Sequence, residues 1–193
     1  MKSNVSEVFM KDKTQSVSPL RKLTFSAMFL ALALVLPFLT GQIPQVGALL
    51  SPMHIPAFLC GLVCGPVWGA LVGCVSPLLR FLLFTMPPIM AAIPMAFELA
   101  VYGAVAGLLY RLFSKMFAKV PALYAALVIA MLAGRVINAL VKAAVLGLSG
   151  SEFSIVLIFL ELFTGTWAGI LLQLVIIPPL VVVLEKFVIA RRS

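Results

Sequence analysis

Charge is what this chain has least of. Only 10% of its residues are charged, 63% are hydrophobic, and the mean hydropathy is +1.20. Water-soluble domains carry about 25% charged residues as a polar skin, so a free-standing soluble domain is excluded. Histidine occurs once and cysteine three times. Cys60, Cys64 and Cys74 all fall inside apolar runs. An odd cysteine count in hydrocarbon beside a lone histidine makes neither a disulfide framework nor a zinc site, so small packing residues and no metal are expected. Also missing are a Gly-x-Ser-x-Gly elbow, a phosphate-cradling glycine loop and a paired-histidine motif. Without a nucleophile–base set or a nucleotide site, the chain is not expected to be an enzyme. It also cannot drive transport with ATP on its own, and no cofactor is expected.

What is there is a succession of long apolar runs from Leu23 to Ile189. A bilayer core takes about 20 apolar residues per helix. Six spans are predicted, at 23–40, 52–65, 67–84, 90–111, 121–147 and 154–180. They form an all-α, polytopic membrane domain over 21–189, flanked by a polar tail at 1–20 and a basic tail at 190–193. The Gly65-Pro66 break reads as a tight turn; merging the second and third spans into one bent helix would leave five. Basic residues decide between the two. Lys2, Lys11, Lys13, Arg21 and Lys22 precede the first span, Arg111, Lys115 and Lys119 follow the fourth, and Lys186, Arg191 and Arg192 follow the last. The connections at 41–51, 85–89 and 148–153 hold no basic residue. Under the positive-inside rule, six spans with both termini cytoplasmic place all three clusters correctly, and five do not. The net charge of +8 is therefore mostly a topology signal, and its spread over three segments argues against a nucleic-acid partner. A removable signal peptide is not expected, since the first apolar run lacks a small-x-small cleavage site.

Five charges remain inside the spans: Arg80, Glu98, Arg135, Lys142 and Glu161. A charge at the bilayer centre costs about 2.5–3.5 kcal/mol even on lenient scales, so such residues face a partner or a watery cavity. Arg135, Asn138 and Lys142 recur at i, i+3 and i+7, one face of one helix. Glu98 and Glu161 each sit about eight residues from the outer start of their span, roughly 12 Å deep. All five thus fall in the outer half of the membrane. Three cations against two acids leave one positive charge over, which suits a small ligand with a carboxylate. Phe97, Tyr102, Phe163 and Trp167 neighbour the acids and are expected to supply apolar walls. Internal ion pairing, such as Arg135–Glu98 and Arg80–Glu161, is the bland alternative. FELAVYGAVAG (97–107) and LELFTGTWAG (160–169) each follow a glutamate with two glycines four apart, a spacing that lets membrane helices approach closely.

Pro52 and Pro56 bracket His54 at the entry to the second span, where proline fits a first helical turn. His54 is expected at the outer mouth, with the 41–53 loop as a lid. RKLTFSAMFLALAL, LSPMHIP, GLVCGPVWGALVGCVSPLLR, the MPP corner and MAFELAVYG together resemble the substrate-binding S component of energy-coupling factor (ECF) vitamin transporters, over about residues 20–185. SPMHIP and MAFELAVYG resemble its pantothenate-type branch. The resemblance implies a six-helix subunit of the bacterial plasma membrane that captures a vitamin from outside. It also implies partners, namely a membrane coupling protein and two ATP-binding cassette subunits that use the ATP. In such proteins an A-x-x-x-A stripe on the first helix docks the coupling protein, and Ala27 and Ala31 fit that pattern; ordinary packing inside the bundle is the other reading. Arg135, Asn138 and Lys142, assisted by Arg80, are expected to hold the ligand's acid end. Glu98 and Glu161 would accept from its hydroxyl, amide or amine groups, and His54 would gate the site. An autonomous proton-coupled transporter and a structural subunit with internal ion pairs remain the alternatives.

Overall fold

A computed structural model describes residues 19–40, 51–148, 160 and 167–190. Six helices make up those residues, with no strand among them: α1 (Pro19–Val35), α2 (His54–Cys64), α3 (Pro66–Phe84), α4 (Ile89–Phe113), α5 (Lys119–Leu148) and α6 (Trp167–Ala190). Proline sets several of the starts. Pro19 and Pro66 open α1 and α3, and Pro121 lies in the first turn of α5, where a missing N–H costs nothing. Pro37 falls where α1 tightens into a 3-10 turn at Leu36–Thr40.

Five helices are long and apolar enough to cross a membrane, and α2 is shorter. Its 11 residues extend about 16 Å, roughly half of a hydrocarbon core. The second expected span, 52–65, is thus a half-length helix. Its start is buried: Ser51, Met53 and His54 are 5%, 4% and 3% exposed. His54 is thus enclosed by the bundle at the start of this short helix. Residues 41–50 of the expected lid, Glu161, Phe163 and the start of the sixth span at 154 lie outside the described residues. The last helix continues to Ala190 rather than stopping near 180, passing through Pro178 and Pro179.

Gly65 turns the chain back on itself. Its φ of 113° belongs to the region only glycine enters freely, and its N–H closes α2 on the carbonyls of Cys60 and Gly61. Gly61 and Gly69, four residues either side, then meet face to face; a side chain at Gly69 would run into the backbone of Gly61. Two antiparallel helices meet this way, and one bent helix does not. The end of α4 sits at the same turn, with the Arg111 guanidinium lying over Gly65. Ser26 of α1 meets Cys60 of α2 at 3.5 Å, so the first half of α1, with Lys22 one turn earlier, lies toward the same end. Two basic segments of the chain, those of Lys22 and Arg111, therefore lie toward one end of the bundle.

Gly103 of α4 completes the close packing. A Cβ there would stand 2.8 Å from the Gly69 Cα, and one at Gly61 would stand 2.8 Å from the Gly103 Cα. Small residues let the three backbones touch, which drives association where lipid removes the hydrophobic incentive. Beneath and around this contact lies an apolar core of Phe29, Phe58, Leu59, Tyr102, Leu123, Leu127, Met131, Ile177 and Val181, among others. Pro77 interrupts α3 with no N–H to offer the Gly73 carbonyl; the Ser76 hydroxyl donates to that carbonyl instead, at 3.3 Å.

Candidate functional site

Glu98 is the hub. It lies on α4 one turn from Tyr102, so both side chains leave the same face, and the Tyr102 hydroxyl donates to Glu98 Oε1 at 2.5 Å. From α5, the Asn138 amide donates to Glu98 Oε2 at 2.5 Å. From α2, His54 Nε2 approaches the same oxygen at 3.7 Å. Arg135, one turn from Asn138 on α5, acts electrostatically on both Glu98 and Tyr102. Glu98 is 4% exposed, Arg135 3% and Asn138 7%. Three helices thus bring five polar side chains to one place inside an apolar bundle.

The backbone is shaped to allow it. Gly134 of α5 has no side chain, and the Tyr102 ring occupies the room; a Cβ at Gly134 would stand 2.5 Å from Tyr102 Cδ1 and 3.1 Å from the Glu98 carbonyl. On the other side Tyr102 stacks on Phe58, with centroids 4.7 Å apart and planes at 18°. His54 leans on Tyr102 at 5.3 Å. Ser51 takes a left-handed φ of 46°, uncommon for a residue with a side chain. That turn aims its carbonyl at His54, accepting from the backbone N–H at 3.1 Å and from ring Nδ1 at 3.0 Å. A carbonyl only accepts, so Nδ1 carries the hydrogen and Nε2 is the atom presented to Glu98.

Tyr102→Phe removes one of the bonds that hold Glu98. The carboxylate oxygen left behind is buried, and a lost partner of this kind costs about 1–3 kcal/mol. We expect a lower melting temperature with the ring stacking kept, measured by thermal unfolding of the purified protein in detergent. An unchanged melting temperature would mean that the hydroxyl bond contributes nothing.

The expected residues divide into three groups. His54, Glu98, Arg135 and Asn138 come together. Lys142, one turn beyond Asn138, is half-buried and continues the same face of α5. Arg80 is held elsewhere: its guanidinium donates to the Leu34 carbonyl at 2.7 Å and lies 5.1 Å from the Phe38 ring and 5.5 Å from the Phe84 ring. Those two rings meet edge to face at 5.0 Å. Arg80 therefore ties the last turn of α1 to the end of α3, satisfying a carbonyl that the helix end leaves open. Of the expected walls, Phe97 and Trp167 are 54% and 59% exposed. Phe97 is next to Glu98 in sequence, but one residue along a helix turns about 100° around it, so the ring faces outward.

Two buried polar side chains carried no advance signal. Tyr102, expected only as a wall, proves to be a hydrogen-bonding partner of the acid. Gln173, the single polar residue of ILLQLVII, is 1% exposed, and its amide nitrogen has no acceptor among the described residues. Among the described residues no group of three or more metal-ligating side chains forms.

No curated protein and no solved structure matches this chain. The family model for the ECF transporter substrate-specific component matches residues 21–181. Members of that family are transporter subunits rather than enzymes; they bind small molecules and work with a membrane coupling protein and ATPase subunits. With its membrane-length helices and buried polar cluster, this chain belongs to the ECF transporter substrate-specific component family.

Proposed function

We propose that the chain captures a small carboxylate micronutrient, with pantothenate as the best candidate, at the His54–Glu98–Arg135–Asn138 cluster. One observation carries the reading: five polar side chains from three helices are sequestered in apolar surroundings, where each would be costly without a task. Arg135 supplies a planar, permanently charged fork suited to a carboxylate, Asn138 adds a neutral donor or acceptor, and Lys142 extends the positive face. Glu161 is proposed as a further ligand contact. Arg80 serves the frame of the site rather than the ligand.

In this reading the chain sits in a bacterial plasma membrane with both termini and the α4–α5 connection in the cytoplasm, as the positive-inside rule favours for its basic segments. Gly65 and Arg111 then mark the inner end, and the cluster lies about half a membrane away. Ligand enters from outside, and a membrane coupling protein with two ATP-binding cassette subunits drives its release inward; the chain itself carries no cofactor. The decisive experiment is mass spectrometry of small molecules released from the purified protein, followed by calorimetric titration with vitamins. A carboxylate vitamin bound at one site supports the reading; its absence with every vitamin defeats it.

The outer face of α1 supports a docking role for Ala27 and Ala31. Both are exposed, while Ser26, Phe29 and Ala33 face the bundle. Neither is covered by the described residues of the bundle. Ala27→Leu with Ala31→Leu is expected to reduce uptake in cells to background while leaving ligand binding by the purified chain unchanged. Normal uptake in the double variant would remove this face from the coupling interface.

A further inference from the structure

We propose that the Gln173 amide of α6 binds a second group of the ligand, so the captured carboxylate also carries an uncharged acceptor, a carbonyl or hydroxyl oxygen. The inference rests on the capture reading above and narrows its ligand class.

Gln173 is a polar side chain among apolar ones. It is 1% exposed, and its amide nitrogen meets no acceptor among the described residues. Ile170 and Ile177, one turn to either side on the same face of α6, both pack into the main apolar core. Phe58, Tyr102 and Met131 belong to that core too. Tyr102 donates to Glu98, and Met131 lies one turn before Arg135 on α5. Helix α6 packs on α2 and α5, the helices that carry His54 and the Arg135–Asn138 pair. The face that bears Gln173 is thus turned toward the helices of the cluster.

Its height in the bundle matches as well. Gln173 precedes Lys186, the first basic residue after it, by 13 residues, and Glu98 precedes Arg111 by the same 13. With those basic residues at the inner surface, an equal number of helical rises brings both side chains to one level.

A buried donor without an acceptor lowers stability, and a membrane interior offers no bulk water to answer it. A resident water would itself need about two to four polar partners, which the isoleucines on either side do not provide. A ligand brings its own acceptor. An ammonium group cannot serve, because it only donates, whereas a carbonyl or hydroxyl oxygen has lone pairs to offer. With the acid held by Arg135, Gln173 fixes the rest of the molecule from a separate helix. Such a site rejects a carboxylate that lacks the second polar group, since the amide is then left unpaired.

The test is thermal unfolding of the purified full-length chain in nanodiscs, with calorimetric titration of pantothenate, which carries both a carboxylate and an amide carbonyl. The variants are Gln173→Met and Gln173→Leu, which keep the bulk and remove the donor. A ligand contact moves the two readings in opposite senses. Without ligand, both variants should melt about 2–4 °C higher, because a buried unpaired donor is gone. Both should also bind pantothenate about tenfold more weakly. Unchanged affinity would overturn the inference and leave capture intact. A lower melting temperature in both variants, or failure of both to fold, would show that the amide has a partner within the chain, and would overturn it whatever the affinity. No pantothenate binding by the wild type would defeat the pantothenate reading itself, and the inference with it.

Discussion

Arg135→Ala is expected to abolish carboxylate binding while leaving a folded, membrane-inserted bundle. The guanidinium is the most deeply placed cation of the cluster, at 3% exposure, and a carboxylate met there has been stripped of water. Removing one member of such a buried charge pair costs about 2–5 kcal/mol, a loss of at least about 30-fold in affinity. The bundle tolerates the change because Glu98 keeps its bonds from Tyr102 and Asn138, so the acid is not left bare. Arg135→Lys should recover only part of the affinity, since an ammonium restores the charge but not the planar fork. Calorimetry with a carboxylate vitamin and thermal unfolding, run on the same samples, separate the two possible roles. If Arg135 only closes an internal ion pair, Arg135→Ala will lower the melting temperature and leave binding intact. That pattern would favour a structural subunit over a capture protein.

How much of this was readable beforehand depends on which physical rule governed each residue. Span positions followed from hydropathy and proline placement alone, and α3, α4 and α5 fall within a few residues of their expected limits. Asn138 and Arg135 were legible as a pair because helical spacing is a local property. Glu98 was legible because an acid in hydrocarbon requires a partner. Arg80 obeyed the same rule and still went elsewhere. The cost of a buried guanidinium can be met by a helix-end carbonyl and two aromatic rings as well as by an acid, and charge counting cannot tell these apart. For His54 the prolines marked the start of α2, but its burial there depends on neighbouring helices that local spacing does not reveal. Tyr102 was hardest to read: its polar role depends on Gly134, 32 positions along the sequence, having no side chain.

The glycine contacts have the larger consequence for stability. Gly103→Leu is expected to prevent the bundle from assembling. A Cβ at Gly103 already enters the space of the Gly69 backbone, with the Gly69 Cα 2.8 Å away, and three more carbons would follow it. Overpacking against a movable side chain costs about 1–3 kcal/mol. Here the obstacle is main chain at the crossing of α2, α3 and α4, so relief requires whole helices to separate. Separation would also pull α4 from α2, and with it Glu98 from His54. The expected result is loss of monodisperse protein on size-exclusion chromatography and loss of ligand binding in whatever remains. Gly134→Ala is the control, since its nearest obstacle is the Tyr102 ring, and the main chain it approaches, at the Glu98 carbonyl, stands off at 3.1 Å. It should purify normally and show only the local fault. Equal purification yield and melting temperature for Gly103→Leu and the wild type would mean that the three backbones do not touch there.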